Sequence, residues 1–214
     1  AHPHADLWSS LEDGHALSNL RPVHACMAGQ KWEWDGVQFE LLHPVFSDYS
    51  KMAGANALSC VLRVDASRGA PSKMGEDDHM ASALLVGDVE AAQELAMLER
   101  QALKPVGVLL VPHHGSQTSS TNGFIEALRP HWAVVQAGYR NRYGHPAPRV
   151  VQRYESQAVP LSISSECGAA HWQSTKPRQL ECEREARRRY WHTPRRIEPR
   201  GADEPISRLP MSKQ

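Results

Sequence analysis

Between residues 83 and 163 short apolar runs alternate with segments whose apolar residues recur at helical spacing. The apolar run at residues 83 to 86 is followed by Gly87-Asp88, after which Ala91, Leu95, Leu98 and Ala102, spaced four, three and four, place one apolar stripe on a helix. An apolar run follows at residues 106 to 111. The alternation then repeats twice, with helices near residues 123 to 128 and 148 to 157 and strands at 132 to 136 and 159 to 163. Such a series dictates an α/β second half.

The first half reads as β-rich. Strands are expected at Leu41-Leu42, residues 58 to 64 and residues 83 to 86, and residues 31 to 40 alternate around Asp35-Gly36 like a hairpin. Residues 65 to 79 mix Ser, Gly, Pro and charge and read as an exposed, solvated loop. A β-rich half followed by βαβ units is the pattern of half an αβ/βα sandwich, in which the loops at strand ends gather on one rim. The chemistry is expected there.

At 214 residues the chain is long enough to bury a catalytic core, and one domain with tails is the simpler organisation: a domain over residues 1 to 175, then a basic, Pro-containing, disordered tail over residues 176 to 214. With 24 Lys+Arg against 24 Asp+Glu, the composition gives no general attraction to polyanions or anionic membranes. Any such attraction must be local. Residues 184 to 200 hold seven arginines and two glutamates, about +5 in all; this stretch reads either as a solvated tail or as a polyanion contact. No apolar run approaches the roughly 18 residues of a membrane span. The start, Ala1-His2-Pro3-His4-Ala5-Asp6, has neither an initiator Met nor a signal peptide, so the chain looks excised from a longer protein. Cys26, Cys60, Cys167 and Cys182 show no Cys-x-x-Cys pairing, which argues against a thiolate zinc site. Buried free thiols are the plain reading, and disulfides the alternative in an oxidising compartment.

Three strand ends carry residues suited to chemistry. Asp88 follows a strand and a glycine and opens a helix, where it serves either as an N-cap or as a carboxylate held out at the rim. The next strand ends in Val111-Pro112-His113-His114-Gly115-Ser116, and two adjacent histidines after a buried strand suit a metal better than a core. The third leads into Asn141-Arg142-Tyr143-Gly144-His145-Pro146, whose His145 is a candidate general acid or donor to a developing oxyanion. Arg140 and Arg142 could hold a phosphate. Carboxylate plus imidazoles suit zinc, manganese or iron without choosing among them.

These motifs resemble the metallo-β-lactamase-like C-terminal domain of the ComEC family of DNA internalisation proteins. Leu84-Leu85-Val86-Gly87-Asp88, the His-His-Gly-Ser run and Gly144-His145-Pro146 look like its consecutive motifs, and Asn56-Ala57-Leu58-Ser59 resembles its Asn-x-x-Ser strand. The resemblance spans roughly residues 20 to 172. It implies a metallo-β-lactamase-type sandwich that is truncated on its N-terminal side. It also implies Asp88 as a bridging carboxylate, an imidazole ligand from His113 and His114, and His145 facing substrate. Ser116, Asn141, Arg142, Asn56 and Ser59 would line the substrate. The implied cofactors are divalent ions, two in the intact domain, manganese or zinc, with no small-molecule cofactor. The implied partners are single-stranded DNA and the membrane channel of the same parent protein. The resemblance places the domain as a soluble part of an inner-membrane protein, on the periplasmic or extracellular face.

One departure weighs on function. The superfamily's first metal motif is His-x-His-x-Asp-His or a close variant, and His2-Pro3-His4-Ala5-Asp6-Leu7 imitates it with Leu7 in place of the last histidine. Either this is a degenerate motif or the true one lies upstream. The readings that follow are a DNA phosphodiesterase, a non-catalytic module that guides DNA, and a metallo-hydrolase for another small substrate.

Overall fold

The computed structural model describes residues 24–51, 54–66 and 78–188. Strand β1 (Lys31–Trp34) turns back at Asp35-Gly36 into β2 (Val37–His43). Both turn residues take positive φ, 51° and 75°, the conformation of the tight hairpin turn that Asp-Gly favours. The hairpin is therefore where the alternation placed it.

Strands β3 (Val61–Asp65) and β4 (Ser82–Leu85) continue the antiparallel sheet. The next three strands run parallel to β4: β5 (Val108–Leu110), β6 (Trp132–Val135) and β7 (Leu161–Ile163). Helices α1 (Ala91–Glu99), α2 (Asn122–Leu128) and α3 (Pro148–Ser156) form the three crossovers. The result is an α/β fold with a seven-stranded mixed sheet in which spatial order follows chain order, β1 to β7. Short helices α4 (Ser164–Cys167) and α5 (Glu183–Ala186) flank a two-stranded sheet of β8 (Ala170–Trp172) and β9 (Leu180–Cys182).

The register separates two faces, because cross-strand partners point the same way. Leu84, Leu109, Ala133 and Val135 lie on the helix side and are fully buried with Met97, Phe124, Ile125, Leu128, Val150 and Tyr154. On the opposite side Phe39, Leu62, Val64, Ala83, Leu85, Val108, Leu110, Trp132 and Val134 fall in register and are only partly buried or exposed. Among the described residues one face of the sheet is thus a fully buried core, and the other is apolar and mostly part-buried, with Leu41 buried on it.

Four sequence expectations are corrected here. Asn56 and Ser59 are not on a strand: residues 55 to 58 form a 3-10 turn and β3 begins at Val61. Helix α1 does not bury the Ala91, Leu95, Leu98, Ala102 stripe. It buries Glu94 and Met97, while Leu95 is 55% exposed, because the loop after β5 supplies polar partners for Glu94. The cysteines are disulfides, Cys26–Cys60 and Cys167–Cys182, separated by 34 and 15 residues and brought to Cα distances of 5.8 and 4.7 Å. Ordered structure also runs past residue 175, since β9 pairs with β8 and carries Cys182. The basic tail from residue 189 onward lies outside the described residues, as does the His2, His4, Asp6 imitation of a metal motif.

Candidate functional site

The ends of β4, β5 and β6 meet on one rim. Gly87 (φ +59°) lets the chain turn sharply after β4, and a Cβ there would sit 3.0 Å from the Cβ of buried Ser59. Ser59 Oγ accepts the Asp88 N–H at 3.1 Å, so this serine holds the Asp88 backbone. Asn56 lies one turn earlier, and its carbonyl accepts the Ser59 N–H.

After β5, His113 and His114 both take left-handed backbone conformations, φ 48° and 56°. Two consecutive non-glycine residues there store strain of order 1–3 kcal/mol each, which the surroundings must over-determine. They do. The His113 N–H is accepted by the Gly87 carbonyl, Ser119 Oγ donates to the Pro112 carbonyl, and the Thr118 carbonyl accepts the Ala91 N–H at the head of α1. Gly115 (φ +82°) packs so closely on the following loop that a Cβ would lie 2.6 Å from the Pro146 Cβ, which places His145 beside the pair.

The side chains of this strained turn are oriented individually. His114 Nδ1 donates to the Gln136 carbonyl at 2.8 Å, at the end of β6, and its Nε2 faces Asp88 Oδ1 at 3.5 Å. With Nδ1 bonded to a carbonyl, Nε2 is the ring nitrogen turned toward the carboxylate, so an imidazole nitrogen and a carboxylate oxygen converge at the rim. His113 Nδ1 lies 3.2 Å from Glu90 Oε1, and Thr118 Oγ1 donates to the same oxygen at 3.0 Å. Glu90 therefore fixes His113 as the Gln136 carbonyl fixes His114.

His145 completes the cluster, its ring centroid 6.2 Å from that of His113. Burial, then the neighbouring His113 and His114, hold its imidazole below the ordinary range, and its buried Nδ1 has no hydrogen-bond partner among the described residues. Asn141 clamps the His145 backbone from both sides, accepting its N–H at 2.9 Å and donating to its carbonyl at 2.6 Å. The Asn141 side chain is thus spent on holding His145. Ser116 is buried and contacts Thr118 Oγ1 at 3.1 Å within its own turn. Arg142 is exposed, bonded to the Tyr143 hydroxyl.

Asp88, His113, His114 and His145 thus share one rim. Ser59, Asn141 and Ser116 lie behind it as supports. Glu90 and Thr118, unassigned by sequence, belong with His113; the signal for Glu90 was its place two residues after Asp88 at a helix start. Among the described residues, no group of three His, Cys, Asp or Glu could hold a metal ion.

No family model matches the chain. It is 35% identical over 143 residues to competence protein ComA of Neisseria gonorrhoeae, covering 66% of this chain and 18% of that protein. The likeness is to bacterial competence proteins. Recombination protein 2 of Haemophilus influenzae is 32% identical over 145 residues, 66% of this chain and 16% of that protein. ComE operon protein 3 of Bacillus subtilis is 32% identical over 166 residues, 78% of this chain and 19% of that protein. The chain spans less than a fifth of the length of these relatives. Among the described residues no helix is long and apolar enough to cross a membrane.

Proposed function

We propose that this chain is part of a metal-dependent phosphodiesterase domain that cuts DNA in a competence-type uptake protein. The observation that carries the reading is the Asp88–His114 pair, a carboxylate oxygen and an imidazole nitrogen 3.5 Å apart at the rim. Their chemistry fits a divalent ion such as manganese or zinc as two donors of a larger set. The remaining donors would come from outside the described residues, because no third one joins them within those. Such an ion, when bound, polarises a phosphoryl oxygen and activates water at neutral pH.

The chain's own residues divide the remaining work. Asp88 and His114 would hold the ion, and Glu90 with Thr118 keeps His113 in one orientation. His145, partly desolvated, presents an imidazole to charge developing on the phosphoryl oxygens. Arg140 and Arg142 are exposed on the loop before it and supply positive charge for flanking phosphates.

The apolar face of the sheet opposite the helices, only partly buried among the described residues, supports a sandwich of the metallo-β-lactamase type, in which further structure covers that face. Two disulfides support an oxidising compartment, in keeping with a periplasmic or extracellular domain next to the membrane channel of the parent protein.

The test is cleavage of single-stranded DNA by the parent protein with manganese or zinc. Asp88→Ala and His114→Ala should each lower the rate by about a hundredfold or more. Unchanged cleavage in both variants would sink the reading. A non-catalytic module that guides DNA is the second reading, favoured by the two-donor set. It expects the parent protein to bind DNA without cutting it under any metal.

A further inference from the structure

Residues 138 to 144 leave two large aromatic rings in solvent beside the His113, His114 and His145 cluster. Tyr139 is 73% exposed and Tyr143 65% exposed, so neither serves the core. Each ring has a guanidinium next to it: the Arg140 Cζ lies 5.2 Å from the Tyr139 centroid, and the Arg142 Cζ lies 4.7 Å from the Tyr143 centroid. The Tyr143 ring is also stacked with His145, centroids 5.7 Å apart and planes 15° off parallel. His145, Tyr143 and Arg142 therefore form a contiguous group of planar side chains beside the cluster, and Tyr139 with Arg140 forms a second pair on the same loop.

The backbone beneath these side chains is organised. Asn141 Nδ2 donates to the Gly138 carbonyl at 3.1 Å, the Asn141 N–H reaches the same carbonyl at 3.3 Å, and the Gly144 N–H reaches the Asn141 carbonyl at 3.1 Å. With the clamp on His145, these bonds order the loop before any ligand arrives, which lowers the entropy cost of binding. Exposed aromatics paired with cations on an ordered loop match a ligand that alternates flat π-faces with negative charge. Single-stranded DNA has that alternation, whereas a duplex hides its base faces within its own stack. The chain's formal net charge of zero leaves a local grip as the means of holding such a strand.

We propose that residues 138 to 144 grip single-stranded DNA, with bases stacking on Tyr139 and Tyr143 and phosphates meeting Arg140 and Arg142. The inference rests on the DNA reading above and names how the strand is held and why it must be single. Because the loop leads directly into His145, a strand seated on it delivers a phosphodiester to the cluster.

The full chain is titrated into fluorescein-labelled oligothymidylate, and separately into a labelled hairpin duplex, with a chelator present and at several salt concentrations. Tyr139→Ala and Tyr143→Ala should each weaken binding to the single strand about tenfold, leaving the salt slope and the duplex affinity unchanged. Tyr139→Phe and Tyr143→Phe should bind within about twofold of the parent chain, since stacking needs the ring and not the hydroxyl. Arg140→Ala and Arg142→Ala should each reduce the salt slope by about 0.7. Wild-type affinity in the double Tyr→Ala variant, or equal losses for single strand and duplex, overturns the proposal. If the parent protein cuts no DNA while the tyrosine losses hold, the hydrolase reading falls and the grip stands. If DNA is cut while the tyrosine variants bind as wild type, the grip falls alone.

Discussion

Glu90 and Thr118 give the site at residue scale a feature that its histidines alone do not show. An imidazole that serves as ligand or acid needs its second nitrogen tied, because the partner of one nitrogen decides the tautomer and aim of the other. His114 takes that partner from a backbone carbonyl, which no substitution removes, whereas His113 takes it from the Glu90 carboxylate. Glu90→Gln should therefore lower DNA cleavage by the parent protein about tenfold to a hundredfold, the usual cost of losing such an outer partner. Its thermal midpoint should stay within a few degrees, since Glu90 lies at the partly exposed rim. Cleavage at the wild-type rate would show that His113 needs no carboxylate. The residue types at the strand ends were legible in the sequence, because Asp88, His113 and His114 sit three or four residues past an apolar strand and His145 stands in the loop that follows the next one. The Glu90–His113 pair was not, because it joins side chains 23 positions apart through a turn whose φ values are unusual for histidine.

Helix α1 shows the same limit at the scale of an element. Its apolar spacing pointed to Leu95, yet the helix buries Glu94, which reaches across to the loop carrying the histidine turn. Glu94 accepts the Ser120 N–H and, at 2.8 Å, the Thr121 N–H, at the entrance to α2. Arg153 of α3 donates to the Ser119 and Ser120 carbonyls, and the Tyr154 hydroxyl donates to Ser120 Oγ at 3.2 Å. Burial raises the Glu94 carboxyl above its ordinary range, against the pull of hydrogen bonds from Thr121 and Ser120 and the charge of Arg153. Three helices are thereby joined through one polar knot under the rim. Glu94→Ala leaves one buried and one part-buried donor unpaired and should destabilise the chain by about 2–4 kcal/mol in denaturant unfolding. Leu95→Lys, on the exposed side, should change stability by less than about 0.5 kcal/mol. Equal effects from the two would contradict the placement of this helix.

For the whole molecule, the two disulfides close loops at opposite ends of the described structure. Cys26–Cys60 ties the segment before β1 to the start of β3, and Cys167–Cys182 joins α4 to the end of β9. Loops of 34 and 15 residues correspond to about 3–4 and about 3 kcal/mol of chain entropy removed from the unfolded state. Full reduction should lower the thermal midpoint by more than about 10 °C, read by circular dichroism with and without reductant. A midpoint unmoved by reductant would mean that the bridges do not constrain the unfolded chain. By itself the sequence determined the α/β class, the hairpin at Asp35-Gly36, the three crossovers and the residues at the strand ends, since each depends on short-range spacing and turn chemistry. Only the tertiary structure decided the sheet order, the cysteine pairing, the burial of Glu94 in place of Leu95, and the second apolar face of the sheet opposite the helices. Those features depend on which distant segments meet, and side-chain spacing along the chain carries no record of that.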